Sequence, residues 1–133
     1  MKTPEEPQQL RSLNKQVTTA IFHAEHSHGY VETRQRWLEV CRLEQEIATI
    51  TDASSMEGYY SRSGAVAAAL KSGSYSVANQ LTESYLQQAI PDQVKKHIKK
   101  MVSDVLALYE AKDVDGATMR ALACDGPLKN GVP

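Results

Sequence analysis

Apolar residues recur at intervals of three and four along most of this chain, which is the pattern of helices that bury one face. The first helix is predicted to begin near Pro7 and to end at Gly29, because proline favours a first helical turn and glycine follows a last one. The next helix is predicted from about Glu32 to Ile50, and its broad apolar face indicates contact with more than one neighbour. That face consists of Trp37, Val40, Cys41, Leu43, Ile47 and Ile50.

The middle of the chain combines an irregular segment with a glycine-centred turn. Residues 52–58 interrupt the periodicity and are predicted to form a loop, although Ser54 and Glu57 have the spacing of a capping box that could start a short helix. Alanine and valine dominate residues 64–70, so that a neighbouring helix can approach closely. Gly73 is predicted to end this helix in a turn that folds the next one back antiparallel.

Pro91 separates that helix from the most regular amphipathic segment of the sequence. The apolar face of this segment consists of Val94, Ile98, Met101, Val102, Val105, Leu108 and Tyr109. A last short helix is predicted after Asp113 or Asp115, either of which can cap it. The pattern therefore predicts an all-α fold of five or six helices in antiparallel hairpins. The predicted helical domain spans residues 7–126, between a flexible N-terminus at 1–6 and a flexible tail at 127–133.

Residues 64–91 carry Gly73, Tyr75, Ala78, Leu86 and the closing Pro91. In these positions the segment resembles the second half of a tetratricopeptide repeat, which is a helical hairpin. The resemblance implies a short tetratricopeptide-like array, the architecture of scaffolds that bind partner proteins. A helical bundle outside that family carries the same residues at its turns for ordinary reasons of backbone geometry, and both interpretations stay open.

Composition narrows the class of protein. A chain of 133 residues can bury a core of its own, and its net charge of −1 provides no overall basic excess for a polyanion. Cys41 and Cys124 form no Cys-x-x-Cys pair, so reduced thiols are expected in place of a disulfide framework or a zinc site. The N-terminal residues lack the apolar core of a signal peptide and no long apolar run follows, which predicts a cytoplasmic protein without membrane contact.

Catalytic signatures are missing from the sequence, which contains no Gly-x-Ser-x-Gly elbow and no phosphate-binding glycine loop. No enzymatic activity and no cofactor are predicted. The candidate for metal chemistry is the histidine-rich segment 23–28. On a helix, His23 and His26 project away from the apolar stripe, whereas His28 falls on it, so one ion cannot collect all three. His23 and His26 form a metal site only if a third ligand comes from elsewhere, and two solvated histidines are the alternative.

Two sets of charged residues require an explanation. Glu44 falls within the apolar arc of the second helix, where a carboxylate needs a partner. If the first two helices pair antiparallel, a histidine or arginine can reach it in a structural or interface ion pair, and a role as an acid or base is the alternative. Lysines form a basic strip opposite the apolar face of the amphipathic segment, at Lys95, Lys96, Lys99 and Lys100. This strip is a solvated face or a site for an acidic partner. Nucleic acid is disfavoured because no arginines or interleaved aromatic residues accompany the lysines.

The sequence thus predicts a non-catalytic protein-protein interaction module, such as an adaptor, an inhibitor, a chaperone-like binder or a regulatory subunit. Tyr59 and Tyr60, expected in the loop before the alanine-rich helix, are interpreted as a recognition pair. The predicted partner-binding residues are Trp37, Leu43, Glu44, Ile50, Tyr59, Tyr60, Lys95, Lys96, Lys99 and Lys100. A second copy of the chain could use the same face. The alternatives are a metal-binding helical bundle using His23 and His26, and a small DNA-binding regulator using the lysine strip.

Overall fold

A computed structural model describes residues 5–111 of the chain, with side chains from 8 to 107, and confirms the predicted all-α fold. Within this range the chain forms five helices and no strand. They are α1 (Glu5–Glu25), α2 (Tyr30–Thr49), α3 (Met56–Lys71), α4 (Tyr75–Leu86) and α5 (Asp92–Ala111). None of these described helices is long and apolar enough to span a membrane. The predicted last short helix and the tail at 127–133 lie outside the described residues.

Short turns fold each helix back on the one before it, which gives antiparallel helix pairs. α2 packs on one side against α1 and on the other against α3, as its broad apolar face predicted. α3 is the central element, because it also contacts α4 and α5. The core common to these helices consists of Leu13, Val17, Ala24, Val40, Cys41, Leu43, Ile47, Ala48, Ala65, Val66, Ala68, Ala69, Leu70, Tyr75, Ala78, Tyr85, Ile90, Val94 and Ile98.

The first helix was predicted with the wrong ends. α1 includes Glu5, which was assigned to the flexible N-terminus, and it ends at Glu25. His26 and Ser27 donate their backbone N–H groups to the last turn, so the chain leaves the helix before Gly29. Gly29 instead precedes α2 with a φ of 82°, a backbone conformation that glycine adopts without the strain of a side chain.

The loop predicted at residues 52–58 is shorter than expected, because α3 begins at Met56. Ser55, and not Ser54, is the N-cap, and its side-chain oxygen accepts a hydrogen bond of 3.0 Å from the backbone N–H of Gly58. Ser54 instead donates to the Asp52 carboxylate. Tyr59 and Tyr60 therefore lie in the first turns of a helix, which fixes their directions relative to the fold.

Gly73 ends the alanine-rich helix as predicted. Its φ is 80°, and the backbone N–H groups of Gly73 and Ser74 donate to the carbonyls of Leu70 and Ala69. This is the hydrogen-bond pattern of a Schellman motif, in which a left-handed residue reverses the chain at a helix C-terminus. The turn sets α4 antiparallel to α3.

The most extensive polar contact inside the fold comes from Arg62, which is only 5% exposed. Its guanidinium donates to the carbonyls of Ala48, Thr51 and Gly58 at 3.0, 3.3 and 3.1 Å, and to the side chain of Gln88 at 2.6 Å. These acceptors belong to the end of α2, the start of α3 and the connection after α4. The cation also lies 5.8 Å from the ring centroid of Tyr85, within cation–π range.

We expect Arg62→Met to lower the free energy of unfolding by about 2–4 kcal/mol, because it leaves buried carbonyl acceptors without a donor. Arg42→Met is the matched control, since Arg42 is exposed and its ion pairs within the described residues are with Glu39 and Glu46 of its own helix. Urea unfolding followed by circular dichroism measures both. Equal stability of the two variants would contradict the role of Arg62.

Candidate partner-binding surface

An exposed aromatic and thioether patch lies on the first two turns of α3. Met56 and Tyr60 are one helical turn apart and are 63% and 60% exposed. Tyr59 is half-buried, and its ring centroid lies 5.2 Å from that of Tyr60 in a tilted arrangement. Ser55 caps this turn and thereby fixes the direction in which the three side chains project.

Tyr59 joins this patch to α5. Its ring meets the ring of His97 edge to face, with 5.8 Å between the centroids. We call Met56, Tyr59, Tyr60 and His97 together the Tyr60 surface. The contact brings together the tyrosine pair and the helix of the lysine strip, which are far apart in the sequence. Met56 and His97 were not among the predicted residues, because their positions depend on how α3 packs against α5.

A groove of about 350 Å³ adjoins the Tyr60 surface, between the first turns of α3 and α5. Its lining is mainly apolar and consists of Ser54, Ser55, Met56, Tyr59, Pro91, Gln93 and Val94. The groove is large enough for one or two aliphatic or aromatic side chains of a partner.

The lysine strip lies on the outer face of α5, as predicted. Lys96, Lys99 and Lys100 are exposed, and Lys95 is half-buried at the flank. Lys100 donates to the Asp104 carboxylate at 2.7 Å. The other three lysines make no ion pair with any residue in the described part of the chain. Positive charge on this face is therefore only partly balanced by the fold itself.

The predicted apolar docking face on α2 is covered by neighbouring helices. Leu43 is 2% exposed and belongs to the core, so its assignment as a partner contact is wrong. Ile50 is half-buried against the core. Trp37 is also half-buried, and the Lys71 ammonium lies 4.4 Å from its ring centroid. The width of this face reflects contacts with both α1 and α3.

Glu44 lies in the α2–α3 interface, half-buried. Its carboxyl group rests on Gly64 so closely that a methyl group added there would overlap Oε2. No residue in the described chain forms an ion pair or hydrogen bond with Glu44, so the expected structural ion pair is not found there, and an ion pair with a partner protein stays a prediction. Burial raises the pKa of Glu44 from its ordinary value of 4.5 to about 7. Cys41 and Tyr85 are buried nearby, and burial raises the pKa of each, that of Tyr85 to about 12.

The histidines at the end of α1 are organised around Phe22. The His26 ring stacks on Phe22 with 4.2 Å between centroids, and His23 meets the same ring edge on at 6.1 Å. His26 Nδ1 lies 2.8 Å from the Phe22 carbonyl, to which it can donate. Across the described residues, no three histidine, cysteine or acidic side chains come together as a metal site would require. The described chain thus supplies no third ligand, and the two-histidine site stays a prediction.

We expect Glu44→Gln to reduce the pH dependence of stability. The folded-state pKa is raised, so the contribution of Glu44 to stability is fully present below pH 4.5 and is lost as the pH rises from there through about 7. The loss is about 1–2 kcal/mol after allowance for the partial exposure of the group. The glutamine side chain stays neutral, so the part of the pH dependence that comes from position 44 should be absent from the variant between pH 4.5 and about 7. Urea titrations at several pH values measure the difference between the two proteins.

Gly64→Ala provides a second variant with Glu44 intact. The added methyl group takes the place of Glu44 Oε2, and a flexible carboxyl group can swing toward solvent. The pH dependence should then shrink although the carboxyl is still present. An unchanged pH dependence in both variants would show that Glu44 is not its source.

Comparison with protein-family models, curated proteins and solved structures finds no match for this chain. The candidate site is therefore defined by the residues of this chain alone. Among the described residues, the Tyr60 surface and the lysine strip lie together at the protein exterior, because Tyr59 of α3 contacts His97 of α5.

Proposed function

We propose that this chain is a non-catalytic protein-protein interaction module that binds its partner through the Tyr60 surface. The observation that carries the proposal is the exposure of Met56 and Tyr60 beside a mainly apolar groove. Large apolar side chains that cluster at the surface are a feature of interaction sites, and tyrosine is enriched among the residues that dominate binding energy. An adaptor, an inhibitor, a chaperone-like binder and a regulatory subunit all fit this description.

The arrangement of the groove also supports a binding role. Tyr59 and Val94 form part of its lining and pack against the core, so their positions are set by the fold before a partner arrives. Tyr60 and Met56 stand beside them with free surface. A rigid floor next to adaptable side chains lowers the entropic cost of binding, since only the outer residues must be ordered.

The other exposed apolar residues offer a weaker surface. Phe22 is 58% exposed, but one face of its ring is covered by His26. Tyr30 and Val31 are less exposed than Tyr60, and the grooves nearest to them contain the charged side chains of Arg34 and Lys71 or of Glu32 and Arg36. The Tyr60 surface is therefore favoured over this end of the molecule.

Site-specific photo-crosslinking tests the proposal. A photoreactive phenylalanine analogue at position 60 should crosslink to one discrete protein in the native cytosol, and the same analogue at position 22 should not. Position 22 is a matched control because Phe22 has nearly the same exposure. Mass spectrometry of the product identifies the partner and the contacting segment. A crosslink to a second copy of the chain would establish self-association instead, and equal capture at both positions would refute the assignment.

A further inference from the structure

We propose that the partner of the Tyr60 surface presents an acidic segment with an apolar anchor side chain. In this arrangement the anchor enters the groove between α3 and α5, and carboxylates of the same segment pair with the lysine strip. This inference rests on the proposed function, because it specifies the chemistry of the partner at the same surface. It adds the lysine strip to the proposed site, which the aromatic residues alone do not define.

Positive charge is concentrated on one face of α5. The described side chains of α5 include four lysines against the two aspartates Asp92 and Asp104, in a chain whose net charge is −1. Asp104 is already paired with Lys100. The basic excess is therefore local to this helix face, and Lys95, Lys96 and Lys99 supply it.

The acidic residues near the groove do not cancel this excess. Glu57 and Asp92 lie in the first turns of α3 and α5, where the positive end of each helix dipole offsets a carboxylate. Both are at the N-terminal ends of their helices. Lys95, Lys96 and Lys99, which form no ion pair within the described residues, follow Asp92 along α5. The surface therefore becomes more basic from the start of α5 toward its middle.

The geometry of α5 connects the two halves of the site. His97 contacts Tyr59 at the edge of the Tyr60 surface. At about 100° per residue, Lys100 is the lysine beside His97 around the helix, Lys96 and Lys99 follow toward the outer face, and Lys95 lies on the opposite flank. A segment that places an apolar side chain in the groove and crosses α5 at His97 thus passes over Lys100, Lys96 and Lys99, and Lys95 lies at the far edge of the strip.

An acidic peptide fits this surface better than nucleic acid does. Duplex recognition depends on many phosphate contacts, commonly from arginine, and the strip contains only lysine. The apolar groove would stay empty in a purely phosphate-directed complex. A protein segment uses both features together, with the groove giving affinity and the lysines giving orientation and a faster association rate.

Selection from a random displayed peptide library tests the inference with the full chain as bait. Enriched peptides should carry net negative charge and at least one large aliphatic or aromatic residue. For a synthetic copy of such a peptide, the Kd should rise about tenfold in Tyr60→Ala. It should rise about five- to tenfold in a triple variant that combines Lys95→Gln, Lys96→Gln and Lys99→Gln. The wild-type Kd should also rise with added salt, because exposed charge pairs are screened.

Two controls keep the outcome specific. Phe22→Ala removes an equally exposed aromatic residue elsewhere and should leave the Kd unchanged. Lys100→Gln removes a lysine that is already paired, so its effect should be smaller than that of the triple variant. Circular dichroism checks that each variant keeps its helices.

Several results would overturn the inference. Enrichment of neutral or basic peptides, or of none, would do so, as would binding that is insensitive to the lysine variant. Tighter binding of duplex DNA that survives Tyr60→Ala would assign the strip to nucleic acid. If photo-crosslinking at position 60 captures a partner through a neutral or basic segment, the proposed function stands and only this inference fails.

Discussion

The fold depends on a buried cation, Arg62, with which no buried carboxylate among the described residues pairs. Arg62 is held by backbone carbonyls from α2 and α3 and by the Gln88 side chain, with the Tyr85 ring nearby. Two of these carbonyls, from Ala48 and Thr51, lie where α2 ends, and a cation is favoured at the negative end of a helix dipole. Burial lowers the pKa of the guanidinium, although arginine stays charged at neutral pH. One side chain thus satisfies polar groups in three segments and ties them to α3.

The close packing around α3 follows from its small side chains. Gly58 approaches the backbone carbonyl of Asp52 so closely that a methyl group there would overlap it, and Gly64 leaves room for the Glu44 carboxyl. Because the contact at Gly58 is with backbone, it can relax only if the chain moves, whereas the contact at Gly64 involves the end of a flexible side chain. The two glycines therefore perform different tasks in one helix. The first sets how the chain enters α3, and the second leaves room for the Glu44 side chain of α2.

Local patterns in the sequence predicted the features that depend on residues close together in the chain. Helical periodicity gave the all-α class, and the glycine at position 73 marked a turn whose geometry needs no tertiary information. Contacts between distant residues could not be predicted in this way. The burial of Arg62 could not be predicted, because arginine is usually exposed. Leu43 was assigned to partner binding because a single sequence does not show which residues of the broad α2 face the neighbouring helices cover. Tyr59 and His97 are likewise neighbours only because α3 packs against α5.

The position of the Tyr60 surface follows from which parts of α3 its neighbouring helices cover. From Ser61 to Leu70 the helix is surrounded by α2, α4 and α5, and it carries mostly small residues that these neighbours cover. In the first two turns Gly58 is buried and Tyr59 packs against the core, whereas the side of the helix that carries Met56 and Tyr60 faces solvent. An apolar residue on the packed side of α3 is buried by the fold, whereas on this side of the first turns it stays exposed. Because apolar side chains that cluster at a surface are a feature of interaction sites, this side of α3 is where the proposed contact with a partner is expected.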